Sequence, residues 1–137
     1  MFLTRLIYFS RANREVDMDI DQILETARRK NKADNITGAL WFDGSWFLQT
    51  LEGSRSAISR TYHRICADPR HNAVQLVSCD QVTQRAFHVW SMAYFADNEQ
   101  NRGLVSKYSG NDKFNPAEMT NDSLFALMAE AEILNKI

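Results

Sequence analysis

Little in this 137-residue sequence supports conventional catalysis, metal binding or membrane insertion. Its two cysteines, Cys66 and Cys79, form neither a C-x-x-C pair nor a disulfide framework, which points to a reducing compartment. The five glycines, Gly38, Gly44, Gly53, Gly103 and Gly110, stand alone, so there is neither a P-loop nor a G-x-G-x-x-G cradle, and a Rossmann fold is excluded. His63, His71 and His88 are scattered; His63 and Cys66 share one helical face but fall short of the four ligands of a structural zinc site. No serine sits in a nucleophile elbow, and no carboxylate pair stands on neighbouring core strands. No apolar run approaches the roughly 18 residues of a membrane-spanning helix, and MFLTRLIYFSRANRE alternates like a strand rather than reading as a signal peptide. A formal net charge of -1 leaves no basic surplus for direct nucleic-acid binding. A cytoplasmic protein without membrane contact is expected.

What is present reads as one domain with a full core: 45% hydrophobic and 24% charged residues are ordinary globular values. Phe2 to Phe9 alternate as a strand with both faces at least partly covered. A first helix follows on the stripe Ile20, Ile23, Leu24 and Ala27, with Asp17, Asp19 and Asp21 at its start and Arg28, Arg29 and Lys30 at its end, ending near Asn31. Ile36 to Phe42 and Ser45 to Leu51 form a hairpin about Asp43-Gly44. Ser54 caps a second helix carrying Ile58, Tyr62 and Ile65, which Pro69 stops. Further strands are expected around Val74 to Asp80 and Val89 to Phe95. The result is an α+β class, a ferredoxin-like βαββαβ sandwich with an added strand: a five-stranded sheet with two helices on one face. C-terminal helices, a short one near Arg102 to Tyr108 and an amphipathic one carrying Leu124, Leu127, Met128 and Ala131, cover the other face, with Pro116 between them.

The chemically notable groups are polar side chains inside apolar strands. Gln49 lies within Trp46-Phe47-Leu48-Gln49-Thr50-Leu51, where a buried amide left unbonded costs about 1 to 3 kcal/mol. Tyr8 falls on the first strand, which neighbours the third in a ferredoxin-like order. A Tyr8 to Gln49 contact follows, and on its own such a pair reads as structural.

Five ordered segments change that weighting: Arg5-Leu-Ile-Tyr8-Phe-Ser10, Asn31-Lys-Ala-Asp-Asn-Ile-Thr-Gly38, Phe47-Leu-Gln-Thr-Leu-Glu-Gly53, Tyr62-His-Arg-Ile-Cys-Ala-Asp-Pro-Arg-His71 and Val89-Trp-Ser-Met92. Together they resemble the successive motifs of the BLUF family, blue-light sensors using FAD. The resemblance implies non-covalent FAD with its ring between the two helices, above the sheet. It implies that Tyr8 is the light-driven electron donor, that Gln49 bridges phenol and ring, and that Trp90 and Met92 form the reporting strand. Asn31 would bond the ring edge and Ile23 and Ile65 would flank it. Arg64, with Arg28 or Lys30, would meet the pyrophosphate, and Asp68, Arg70 and His71 would line the ribityl and adenine side. Apart from the resemblance, Asn31 reads rather as a helix C-cap, Arg64 and Arg70 as a solvated face, and Trp90 and Met92 as core.

The expected function is thus a photoreceptor without catalysis of its own: residues 1–97 as the photosensor and 98–137 as a helical cap of the same domain, with no separate output domain. Signalling would pass through protein contacts, in a homo-oligomer and to a separate downstream partner. Two alternatives stay open. One is a small hydrolase of acylphosphatase type using Arg11, Asn13 and Arg14, although its glycine-rich anion loop is missing; the other is a flavin-free interaction module.

Overall fold

The computed structural model describes residues 2–88 and 91–135. Strands β1 (Leu3–Ala12), β2 (Thr37–Phe42), β3 (Trp46–Ser54), β4 (His71–Gln81) and β5 (Ala93–Ala96) form one sheet in the order β4-β1-β3-β2-β5. Helices α1 (Ile20–Ala33) and α2 (Arg55–Ala67) lie on one face; α3 (Glu99–Ser109) and α4 (Asn121–Leu134) lie on the other. This is the ferredoxin-like sandwich with one added strand, β5, which runs parallel to β2 while the other pairings are antiparallel.

The period of two in the strands creates two cores. Leu6, Tyr8, Leu40, Phe47 and Leu51 pack beneath Leu24 of α1 and Ala57 and Ile58 of α2. Their neighbours Ile7, Phe9, Ala39, Trp41 and Leu48 point the other way, onto Leu104 and Val105 of α3 and Leu124, Leu127 and Met128 of α4. The alternation in the first strand therefore feeds both layers, and the C-terminal helices supply the second cover.

Local chemistry sets the element ends. Asp19 caps α1 by accepting from the Gln22 amide, and Ser54 caps α2 by accepting from that of Ala57. At the hairpin, Asp43 Oδ1 accepts from the amides of Ser45 and Trp46, both at 2.9 Å, and Gly44 takes φ 92°, which favours glycine. Pro116 opens a single 3-10 turn, Pro116–Glu118, between α3 and α4.

The last strand departs from expectation. It begins at Ala93 rather than Val89; Val89 and Trp90 lie outside the described residues. The carbonyls of Ser91 and Met92 accept bonds from side chains of α1, whereas the ladder with β2 starts at the pair Ala39 and Ala93.

Gly38 in β2 is required by close backbone approach: a Cβ there would lie 2.0 Å from the Thr50 carbonyl oxygen of β3. Gly38→Ala is expected to destabilise the protein by at least about 2 kcal/mol in urea unfolding, because the β2–β3 pairing must open to admit one methyl group.

Candidate functional site, a cleft between two helices

The antiparallel register of β1 and β3 sets Tyr8 directly opposite Gln49. Both point to the face beneath α1 and α2, and both are buried, at 1% and 6% exposure. The Tyr8 hydroxyl donates to Gln49 Oε1, and Gln49 Nε2 donates to Met92 Sδ at 3.5 Å. The amide is engaged at both ends, as a group able to donate and accept can be. Burial pushes the Tyr8 phenol well above its ordinary pKa, and the nearby Asp68 carboxylate adds to the rise, so the phenol keeps its proton in the resting protein.

Above this pair lies a cavity of about 210 Å³. Its floor is Tyr8, Leu40, Phe47 and Gln49 of the sheet. One wall is α1, where Ile23, Ala27 and Lys30 follow one another along a single stripe with Thr26 and Asn31 beside it. The other wall is α2 with the turn after it: Thr61, Arg64 and Ile65, then Asp68 and Arg70. Of the residues singled out in the sequence, Tyr8, Ile23, Lys30, Asn31, Gln49, Arg64, Ile65, Asp68 and Arg70 therefore converge on one cleft. Lys30 and Arg64 are exposed.

Asn31 is buried and Nδ2 donates to the Ser91 carbonyl at 2.9 Å. Asn31 also borders the cavity. Asp68 and Arg70 satisfy each other: Arg70 Nη2 reaches Asp68 Oδ2 at 2.6 Å, and Nε reaches both carboxylate oxygens at 3.0 Å. Burial works to raise the Asp68 carboxyl, but the hydrogen bonds and charge of Arg70 win and hold it below its usual range.

Two expected residues do not line the cavity. His71 turns into the layer beside it, with Nδ1 against Ser10 Oγ at 2.6 Å and its ring centroid 4.5 Å from that of Phe47 and 6.0 Å from that of Tyr8. Arg28 is directed away: its Nε donates to the Met92 carbonyl at 3.0 Å, so of the two bases offered by α1 it is Lys30 that reaches the cleft. Met92 is fully buried against the cavity pair, and Trp90 lies outside the described residues.

Sequence reasoning missed Thr26, Ala27, Leu40, Phe47 and Thr61 of the lining, Ala27 having read only as part of the apolar stripe of the first helix. Thr26 and Thr61 had no periodic signal, and Leu40 and Phe47 read only as core. It also passed over Glu52, whose buried carboxylate accepts from Arg5 Nε at 2.8 Å and from the amides of Ala86 and Phe87 at 2.9 Å. Arg85 adds bonds to the Glu52 and Asn35 carbonyls and to Thr37 Oγ1. The connection from β4 to β5 is thereby stapled to the sheet. A lone acid closing the apolar run Phe47 to Leu51 was the available clue.

A ferredoxin-like sheet with a cleft between its two helices, a buried phenol–amide pair at the floor and cations in its lining defines an α+β domain with one candidate ligand-binding cleft. A family model described as "Sensors of blue-light using FAD" matches residues 3–93. The chain belongs to this BLUF family, the sensors of blue light that use FAD. It is 36% identical over 94 residues to the "Blue light- and temperature-regulated antirepressor BluF" of Escherichia coli (strain K12), covering 68% of this chain and 23% of that protein. It is 40% identical over 86 residues to the "Photoactivated adenylate cyclase subunit beta" of Euglena gracilis, covering 62% and 10%. The chain thus spans less than a quarter of either relative. Among solved structures it is similar to BlsA in its photo-activated state, with a TM-score of 0.87 and 28% identity over 96% of this chain and 95% of that one. The dark state of BlrB, a BLUF protein, gives 0.77 and 32% over 95% and 97%. Among the described residues no helix is long and apolar enough to cross a membrane.

The cleft fits FAD on its own chemistry. Ile23, Ala27 and Ile65 are apolar side chains of the lining that would suit a flat ring, Gln49 and Asn31 are amides that would suit its polar edge, and Lys30 and Arg64 are cations that would suit phosphate.

His71 gives a test of this packing in the flavin-free protein. Burial lowers its pKa from 6.5 to about 4, with the Asp68 carboxylate opposing and Arg70 assisting. The unfolded chain therefore binds a proton that the folded one refuses between these values. Stability is complete above about pH 6.5 and is lost as pH falls through the window, by about 1 to 3 kcal/mol. Urea unfolding at pH 7 and pH 5 is expected to show this loss, and His71→Gln to reduce it.

Proposed function

We propose that this chain is the light-sensing unit of a signalling system, with Tyr8, Gln49 and Met92 as the photoactive relay and no catalysis of its own. The observation that carries this reading is the continuous buried chain of contacts from the Tyr8 hydroxyl through the Gln49 amide to the Met92 sulfur. Bound FAD supplies light absorption and an electron acceptor. Tyr8 gives up an electron and passes its hydroxyl proton to Gln49 Oε1, the atom it already bonds. The high pKa of the resting phenol keeps that proton in place until oxidation acidifies it. Gln49 Nε2 would give a proton to the bound ring as Oε1 gains that of the phenol, and return of an electron and a proton to Tyr8 would leave Gln49 rotated or tautomerised with a changed hydrogen bond to the ring edge. Any rotation must also break the contact from Nε2 to Met92, and so the change is handed to the segment leading into β5.

In this reading Asn31 holds the ring edge through Oδ1, Ile23 and Ile65 flank the ring, and Lys30 and Arg64 meet the pyrophosphate. The Asp68–Arg70 pair shapes the ribityl and adenine side. His71 supports Tyr8 and Phe47 from behind. Residues 98–137 act as a cap of the photosensor domain 1–97; the likeness to BlsA over nearly the whole of both chains supports this. Output then passes through protein contacts, between copies of this chain and to a separate cytoplasmic partner that binds the two states with different free energies.

Purified protein is expected to carry flavin absorption bands that shift reversibly to the red under blue light. A colourless preparation that also rejects added FAD would sink the proposal. Tyr8→Phe and Gln49→Ala should each retain flavin and lose the reversible shift; a normal photocycle in either variant would show the relay to be misassigned.

A further inference from the structure

We propose that Arg28 is a positioning residue for signal transfer: its guanidinium clamps the Met92 carbonyl and so keeps the Met92 sulfur against Gln49. For the photocycle the inference rests on the photosensor reading above, while the clamp itself can be measured without it.

The argument begins with the backbone of residues 91 and 92. β5 pairs with β2 only from Ala93 onward, opposite Ala39. The two residues before it are held instead by α1: Asn31 Nδ2 on the Ser91 carbonyl at 2.9 Å, and Arg28 Nε on the Met92 carbonyl at 3.0 Å. Arg28 and Asn31 are three residues apart on one helix, hence on the same flank, and they take successive carbonyls of a segment some sixty positions away in the chain. The adjacent flank, carrying Ile23, Ala27 and Lys30, walls the cavity. One rigid helix thus touches the ligand cleft on one side and the entry to β5 on the other.

The two holds differ in character. Asn31 is buried and also borders the cavity, so its bond to Ser91 cannot be altered without disturbing the ligand site. Arg28 is exposed, lies outside the cavity lining and borders a separate hollow with Ala93, Tyr94 and Glu132. Its bond is charge-assisted and part-buried, a stronger hold on the backbone than a neutral hydrogen bond. Upstream, Glu52 and Arg85 fix residues 85–87 to the sheet. A shift of Met92 away from Gln49 therefore has to work against Arg28.

The planar guanidinium matters as well as the charge: Nε donates in a fixed direction, which a lysine ammonium does not reproduce. Arg28→Ala removes the clamp, and Arg28→Lys should restore it in part. Amide hydrogen exchange of the 91–96 segment is measured by mass spectrometry on flavin-free and FAD-loaded full-length protein. Flavin affinity and the rate of dark recovery after blue light are measured in parallel. Arg28→Ala is expected to speed exchange in 91–96 by about fivefold in both forms, with Arg28→Lys in between. Recovery should change by about threefold or more, while the dissociation constant for FAD stays within about twofold of wild type. Unchanged exchange overturns the clamp. Faster exchange with unchanged recovery overturns the role in signal transfer. A large loss of FAD affinity that spares riboflavin returns Arg28 to the phosphate site and also overturns it. A wild-type protein that binds FAD but shows no reversible shift defeats the photosensor reading instead, and the exchange comparison still decides the clamp.

Discussion

The centre of this protein depends on β1 lying against β3 in the register that sets Tyr8 opposite Gln49. Side chains alternate along a strand, so a slip of one residue between β1 and β3 would put Tyr8 and Gln49 on opposite faces of the sheet, pairing Tyr8 with Leu48 or Thr50 instead. The register is protected by apolar packing on both faces of β1 and by the tight approach of β2 to β3 at Gly38. The Tyr8–Gln49 pair is thus carried on a part of the sheet packed on both faces.

That placement explains how so few polar groups suffice. In a buried site each unpaired donor or acceptor is costly, so the Gln49 amide is held between the Tyr8 hydroxyl and the Met92 sulfur. The sulfur is a weak acceptor. The amide is consequently tied firmly on one side and loosely on the other, which suits the reorientation proposed above. The same logic governs Glu52, whose buried charge is balanced by Arg5 and two backbone amides and which anchors the connection to β5.

Much of the fold was legible because its signals are local: alternation in the first strand, Asp43-Gly44 at the hairpin, caps at Asp19 and Ser54, and prolines after α2 and α3. Gln49 was legible as an anomaly, an amide in an apolar run. Arg28 and Lys30 were not separable, since both are bases near the end of one helix. Two positions apart they point to different flanks, and only the placement of α1 decides which flank meets the cleft. His71 likewise sits at the mouth of the motif in sequence but turns inward, because Ser10 on the neighbouring strand offers it a partner.

The sequence by itself determined the order of elements, the two-faced pattern of the strands, the Tyr8–Gln49 neighbourhood and the resemblance to the blue-light sensors, because each of these is written in short-range periodicity or in motif residues. The tertiary structure alone decided that Met92 touches Gln49, that the chain enters β5 under Arg28 and Asn31, and that Glu52 staples the connection before it. Those contacts join residues some 35 to 65 positions apart, and no local preference along a chain can specify which distant carbonyl a given side chain will reach.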